Sequence, residues 1–304
     1  MRRQKDLQGE YHHRIFHALH DWDRAWAGAL AVAGEDARAR SLGFDQLGHF
    51  GDRGCALVAG EVAARLAADG PVTLAEFGCG FGGALRAVLR DLREHGVEVA
   101  WALGIDLVWD HVRLCRTIGG TEPSGAGPSG AGPSGAAGAA VRPVQADAGA
   151  VPLREGVLDA VVCTGSLPHF ADPGRVFAEA ARTLRPGGVL VMTEETSLLA
   201  PGRAVSAEFR RLHPPGIFFL AEVGERVVQL WDAGFTDIRV RSLRSWACEH
   251  LRDRLKAMRL FFGDVAAIYG ESEAGTLVDT LGAALGEYES GAVVPALVTA
   301  RRSP

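Results

Sequence analysis

The spacing of apolar and polar positions changes character near residue 71. Before that point, Ile15, Phe16, Leu19, Trp22, Trp26 and Leu30 recur at helical intervals and predict an amphipathic helix over residues 11–34. A second helix is predicted over residues 53–68 through Leu57, Val58, Val62 and Leu66, and Asp69-Gly70-Pro71 stops it. From Val72 onward, short apolar runs of strand length alternate with helical stretches. The series reads VTLAEF, GGALRAVLRDLREH, VEVAWALGID, WDHVRLCRTI, and then, after a gap, VRPVQADA, VLDAVVCTG, PGRVFAEAARTL and GVLVMTEE. VGERVVQLWDAG, FTDIRVRSL and a last apolar run, AVVPALVTARR, follow. Such alternation predicts βαβ units around a parallel sheet of about seven strands.

Three segments break the pattern. Residues 119–140 repeat PSGAG without one large apolar side chain, so they cannot bury enough surface to offset their ordering entropy and predict a flexible insertion. Residues 196–222, around HPPGIFFL, and residues 244–290, from a helical stretch to a helix near 275–288, read as lid or cap insertions. The expected organisation is a helical cap over residues 1–70 and one α/β domain over 71–304.

Composition changes this picture little. Of 304 residues 47% are hydrophobic and 23% charged, with a net charge of −5, which argues against disordered and polyanion-binding classes. Among 32 basic residues only Lys5 and Lys256 are lysine, so the arginines reflect compositional bias, and no basic run exceeds two residues. No nucleic-acid partner is expected. The five cysteines, Cys55, Cys79, Cys115, Cys163 and Cys248, form no CxxC pair, which speaks against a zinc ribbon or disulfide framework and for a reducing compartment. No run of about 18 apolar residues exists, so a soluble, cytoplasmic protein without a membrane partner is expected.

Candidate chemistry concentrates in LAEFGCGFGGALRAVL, residues 74–89, a strand, a glycine-rich turn and a helix start. Gly78, Gly80 and Gly82 let the backbone turn sharply and approach a ligand closely, and the following helix offers free N–H groups. Gly78, Gly80 and Gly83 also satisfy the GxGxxG of a dinucleotide site, so the turn alone leaves two cofactor classes open. Asp106 ends the second strand, where a carboxylate binds ribose hydroxyls in either class. Asp147 follows the third strand, and LRPGG at 184–188 precedes the fifth; a dehydrogenase reading leaves both unexplained.

Together these motifs resemble the class I S-adenosylmethionine (SAM)-dependent methyltransferases, of the small-molecule, type 11-like group. Glu76-Phe77-Gly78-Cys79-Gly80-Phe81-Gly82 fits that family's glycine loop, Asp106 with Leu107 its ribose-binding position, Asp147-Ala148 its adenine-contacting pair, and residues 45–243 carry the likeness. The resemblance implies a Rossmann-like seven-stranded α/β sheet with a terminal antiparallel hairpin, plus a helical cap. It implies SAM as cofactor, held by Glu76, Gly78, Cys79, Gly80, Gly82, Asp106, Leu107, Asp147, Ala148 and Cys163. A metal is not called for: His12, His13, His17 and His20 share a helix but show no third ligand, and a polar helix face is the expected role.

For the acceptor, the aromatic residues outside the sheet suit a small apolar or aromatic molecule, methylated on oxygen in preference to carbon or nitrogen, in bacterial secondary or quinone-like metabolism. His169, at the end of the fourth strand, and His49, ahead of the second helix in a cofactor-covering segment, are the candidate bases. Pro168 stands where the family often has a first histidine. Of Glu194 and Glu195, one is expected to face the pocket and the other solvent; His213 lies in the lid stretch. The alternative is a SAM-binding methyltransferase-like scaffold repurposed as a cyclase, isomerase or regulator. A homodimer is left open.

Overall fold

The structure is a computed structural model, and it describes residues 2–15, 45–46, 48–66, 70–120, 141–197 and 204–304. The expected helix beyond Ile15, with His17, His20, Trp22 and Trp26, and the insertion over 121–140 lie outside the described residues. In chain order the elements are α1 (Arg2–Ile15), α2 (Gly51–Arg65), β1 (Val72–Phe77), α3 (Gly83–Glu94), β2 (Val99–Asp106), α4 (Trp109–Gly120), β3 (Val141–Gln145) and β4 (Leu158–Thr164). There follow α5 (Pro173–Thr183), β5 (Leu184–Ser197), α6 (Ala207–Leu212), β6 (Ala221–Glu222), α7 (Val223–Asp232) and β7 (Phe235–Ser242). The chain closes with α8 (Arg244–Leu260), α9 (Phe262–Tyr269), α10 (Glu271–Ser290) and β8 (Val293–Arg302).

The strands lie in the order β3-β2-β1-β4-β5-β8-β7, with the two-residue β6 beside the end of β5. Strands β1 to β5 are parallel, and β8 runs antiparallel to both β5 and β7. This is the Rossmann-like sheet the apolar pattern and the motifs called for. Its antiparallel pair is no tight hairpin, because α8, α9 and α10 lie between β7 and β8. The chain winds outward from β1 through β2 to β3, then returns to β4 and β5 on the other side. The switch between β1 and β4 leaves a crevice at their carboxyl ends, where open α/β sheets bind ligands.

Pleat periodicity divides the core in two. Leu74, Ala160, Val162, Val189 and Val191 face Val58, Val62, Leu85, Val88 and Leu92 of α2 and α3. The alternate residues, Ala75, Phe77, Val161, Cys163, Leu190 and Met192, face Val176, Phe177, Ala180 and Leu230 of α5 and α7. Strands covered on both faces read as continuous apolar runs, as VLDAVVC does. Local signals set the helix starts: Asp172 caps α5 by accepting from Arg175 N–H at 3.1 Å, with Pro173 in the first turn.

Two details depart from the pattern. Helix α1 begins at Arg2, well before residue 11, and it buries Gln8 and Tyr11. LRPGG is not a turn ahead of the fifth strand but its first part: Leu158 pairs with Leu184 and Ala160 with Val189, so the extra residues bulge out, with Gly187 at φ +75°.

Candidate functional site

The glycine-rich turn leaves β1 at Phe77 and enters α3 at Gly83, with Gly78, Gly80 and Gly82 at φ +78°, +52° and +79°. L side chains avoid that region, and a Cβ on Gly78 would stand 2.4 Å from Ser166 Cβ. The turn is tied to β2 through Asp106. One carboxylate oxygen accepts from Gly80 N–H at 2.8 Å; the other accepts from Val108 N–H at 2.9 Å and from His111 Nδ1 at 3.1 Å. Burial pushes the Asp106 carboxyl up, but His111 and the two backbone donors outweigh it and hold it below the usual range.

Glu76 is fully buried beneath this turn. Thr164 Oγ1 donates to its Oε1, while Oε2 has no hydrogen-bond partner. Burial raises its pKa to about 8. Burial thus favours the neutral carboxyl, and only a nearby cation or further donors would favour its ionised form.

A cavity opens between the ends of β1, β2, β4 and β5 and the cap helices, walled by residues of α1, the 45–50 segment, and α8, α9 and α10. On one wall His49 Nδ1 lies 2.8 Å from Glu195 Oε1 and 3.1 Å from Tyr288 Oη, and Tyr288 Oη donates to the same Glu195 oxygen. Burial would raise Glu195, but His49 and the donated hydrogen bonds bring it down to about 2. Arg254 holds the segment carrying His49, donating from Nη1 to Gly48 O at 2.8 Å and His49 O at 2.9 Å.

A further stretch of wall is also rich in imidazole. His169 sits in a short turn after β4, its pKa lowered to about 4 by burial, and its Nδ1 is unpartnered. His12 stacks on His111 with ring centres 4.5 Å apart, and their Nδ1 and Nε2 atoms are 3.3 Å apart. Gln8 fastens α1 across this wall by donating to His169 O at 3.1 Å and Ile217 O at 3.2 Å.

The sequence-derived residues therefore divide. Gly78, Cys79, Gly80, Asp106, Leu107, His49 and His169 line the one cavity, as do Glu195 and His213. Glu76, Gly82, Asp147, Ala148 and Cys163 are outside its lining. Cys163 and Ala148 pack in the core, and Asp147 Oδ1 accepts from Gly149 N–H at 2.9 Å. Glu194 does not face solvent: the pleat turns it away from Glu195, but into a fully buried ion pair with Arg226 of α7. His12 is not on a polar outer face either; it lines the cavity, while His13 is exposed beside Asp110. Among the described residues, no group of three metal-ligating side chains comes together.

The sequence reading missed Tyr288, His111, Arg254 and Gln8. Each meets its partner across a separation of 93 residues or more, except His111, five residues after Asp106. That i, i+5 carboxylate–imidazole spacing is the one signal that was available.

Residues 75–192 match the family model of the methyltransferase domain. By that match this stretch is similar to methyltransferase domains. An uncharacterised 37.1 kDa protein from a transposon of Streptomyces fradiae is 36% identical to the chain over 94 residues, 29% of this chain and 27% of that one. Among solved structures, the phosphoethanolamine N-methyltransferase 2 of Haemonchus contortus superposes with a TM-score of 0.66 at 17% identity, over 81% of this chain and 52% of that one. The 4+2 cyclase SpnF superposes with a TM-score of 0.57 at 23% identity, over 82% and 80%. The chain thus spans about half of the Haemonchus enzyme, 52%, and 27% of the Streptomyces protein.

The residues of this stretch fit SAM as a cofactor. The unpartnered Glu76 Oε2 suits a cationic amino group, and the side-chain-free Gly78 and Gly80 leave the backbone open to close approach. No helix among the described residues is long and apolar enough to cross a membrane.

Proposed function

We propose that the protein transfers a methyl group from SAM to an oxygen of a small organic acceptor seated between the glycine turn and the His49–Glu195 wall. The supporting observation is that pair: a histidine whose Nδ1 is held 2.8 Å from a buried, ionised carboxylate, in the cavity that the cofactor turn also lines. With Nδ1–H donated to Glu195, Nε2 is the ring nitrogen left to accept a proton. His49 then takes the acceptor's hydroxyl proton, and Glu195, backed by Tyr288, stabilises the imidazolium that results. Glu76, Gly78, Gly80 and Asp106 are the residues that hold the cofactor in this reading, and Asp147 with Ala148 remains the proposed adenine contact. When bound, SAM supplies an electrophilic methyl on a sulfonium, so the protein's remaining task is to align the acceptor and keep water out. Helix α1, fastened by Gln8 and by Tyr11 Oη donating to Leu212 O at 3.0 Å, closes the cavity on that side.

Incubation with methyl-labelled SAM and a panel of small hydroxylated aromatics tests this directly. The expected product carries the label and one added methylene in mass. Consumption of an acceptor to an unlabelled product of unchanged mass overturns methyl transfer in favour of a rearrangement catalyst.

A second expectation follows from Glu76. In the cofactor-free protein its carboxyl, raised to about 8, is mostly protonated at pH 7. Arrival of a cationic amino group favours the carboxylate, so SAM uptake at pH 7 releases a proton, and affinity rises with pH until Glu76 is ionised without ligand. Calorimetry in buffers of different ionisation heats measures the release. In Glu76→Gln it disappears and affinity becomes flat across that range; proton uptake, or an unchanged release in the variant, contradicts the assignment.

A further inference from the structure

His213 has a feature the proton-removing pair does not use. Its Nδ1 lies 3.1 Å from Phe209 O, and a carbonyl only accepts, so Nδ1 carries the ring proton and Nε2 is a bare acceptor. That Nε2 is buried with no hydrogen-bond partner, although His213 lines the cavity. The ring is fixed by stacking on Phe209, centres 4.0 Å apart at 18°, and it meets His49 edge-on at 5.6 Å. Burial lowers its pKa to about 4, with His49 adding to the effect, so the ring is neutral near pH 7 and Nε2 stays an acceptor. A buried acceptor without a donor costs free energy, and a ligand that brings the donor recovers it.

We propose that His213 reads a second hydroxyl on the acceptor, beside the one methylated, so that the substrate is an aromatic ring bearing two neighbouring hydroxyls. The His49 and His213 rings meet edge-on with centres 5.6 Å apart, and in this proposal one aromatic acceptor presents a hydroxyl to each. Phe218, 4.8 Å from His213 and 5.5 Å from His169, supplies a flat apolar wall for the ring that carries them. The inference rests on the methyl-transfer reading above. As the carbon–oxygen bond forms and the carbon–sulfur bond breaks, the first hydroxyl gives its proton to His49, which later passes it to solvent. The second hydroxyl keeps its proton, donated to His213 Nε2, and only one ether is made.

Calorimetry on protein saturated with S-adenosylhomocysteine decides the matter, with catechol, phenol and guaiacol as probes. Catechol is expected to bind about tenfold more tightly than either analogue, the worth of one hydrogen bond to a buried acceptor. His213→Phe keeps the stacked ring and removes the nitrogen; catechol should fall to the level of phenol, with phenol itself within about twofold of its original affinity. Equal affinity for catechol and phenol, or uptake of neither, overturns the diol proposal. A preference that survives in His213→Phe overturns the role of His213; if that variant does not fold, the comparison on the unmodified protein still decides the diol. Failure to take up S-adenosylhomocysteine strikes the methyl-transfer reading instead, and the catechol-to-phenol ratio without cofactor then decides the subsite.

Discussion

Asp106→Ala should weaken S-adenosylhomocysteine binding by about a hundredfold or more while leaving a folded protein. The carboxylate joins the end of β2 to the glycine turn, accepting from Gly80 N–H, Val108 N–H and His111. Removing it leaves two buried backbone donors unanswered, at about 1–3 kcal/mol each. The strain falls on Gly80, whose φ of +52° is held by that bond, and on His111, which carries His12 of α1. The turn and the helix covering it therefore loosen together. In the methyl-transfer reading the same carboxylate also accepts from the ribose, so binding loses a direct contact as well as a preformed turn. Asp106→Asn separates these contributions. Its amide keeps one oxygen but turns an NH2 toward the donors at Gly80 or at Val108 and His111, and an intermediate loss is expected. Thermal melting with and without S-adenosylhomocysteine, alongside calorimetry, reads both effects. An unchanged affinity in a folded Asp106→Ala protein would show that this carboxylate does not organise the cofactor end.

The glycine turn and Asp106 were legible in the sequence because they belong to one βα unit and its neighbouring strand. There, short-range rules of turn chemistry and pleat fix which atoms meet. The pleat likewise told that Glu194 and Glu195 point to opposite faces. It could not tell that α7 brings Arg226 to Glu194, since that depends on how a helix some thirty residues away docks. The same limit hid Tyr288 and Arg254, which sit on helices that carry no motif. His12 differs from expectation for a related reason: a polar residue on an isolated helix is taken to face solvent, whereas α1 lies over the cavity and turns His12 inward. Local grammar located the glycine turn and Asp106, and the His49–Glu195 wall was built from long-range contacts.

His49→Ala should lower kcat by about a hundred- to ten-thousandfold on a hydroxylated aromatic acceptor, the usual contribution of a positioned base. Its effect on S-adenosylhomocysteine affinity should stay within about twofold, because the His49 side chain is bonded to Glu195 and Tyr288 on its own wall and its backbone remains held by Arg254. Glu195→Gln should cost less, about ten- to a hundredfold in kcat. Its amide oxygen still accepts from Nδ1, but no negative charge opposes the imidazolium formed as the proton moves. The Glu195 carboxyl lies at about 2, so it is ionised throughout the working range, and acidifying from pH 8 to pH 5 cannot mimic this substitution. That separates the two roles: a loss confined to kcat in both variants, with KM for the acceptor nearly constant, marks groups that act as the proton leaves. A loss of equal size in KM would instead make the pair a binding wall, and full activity in His49→Ala would move the base to His169, whose neutral ring and unpartnered Nδ1 face the same cavity.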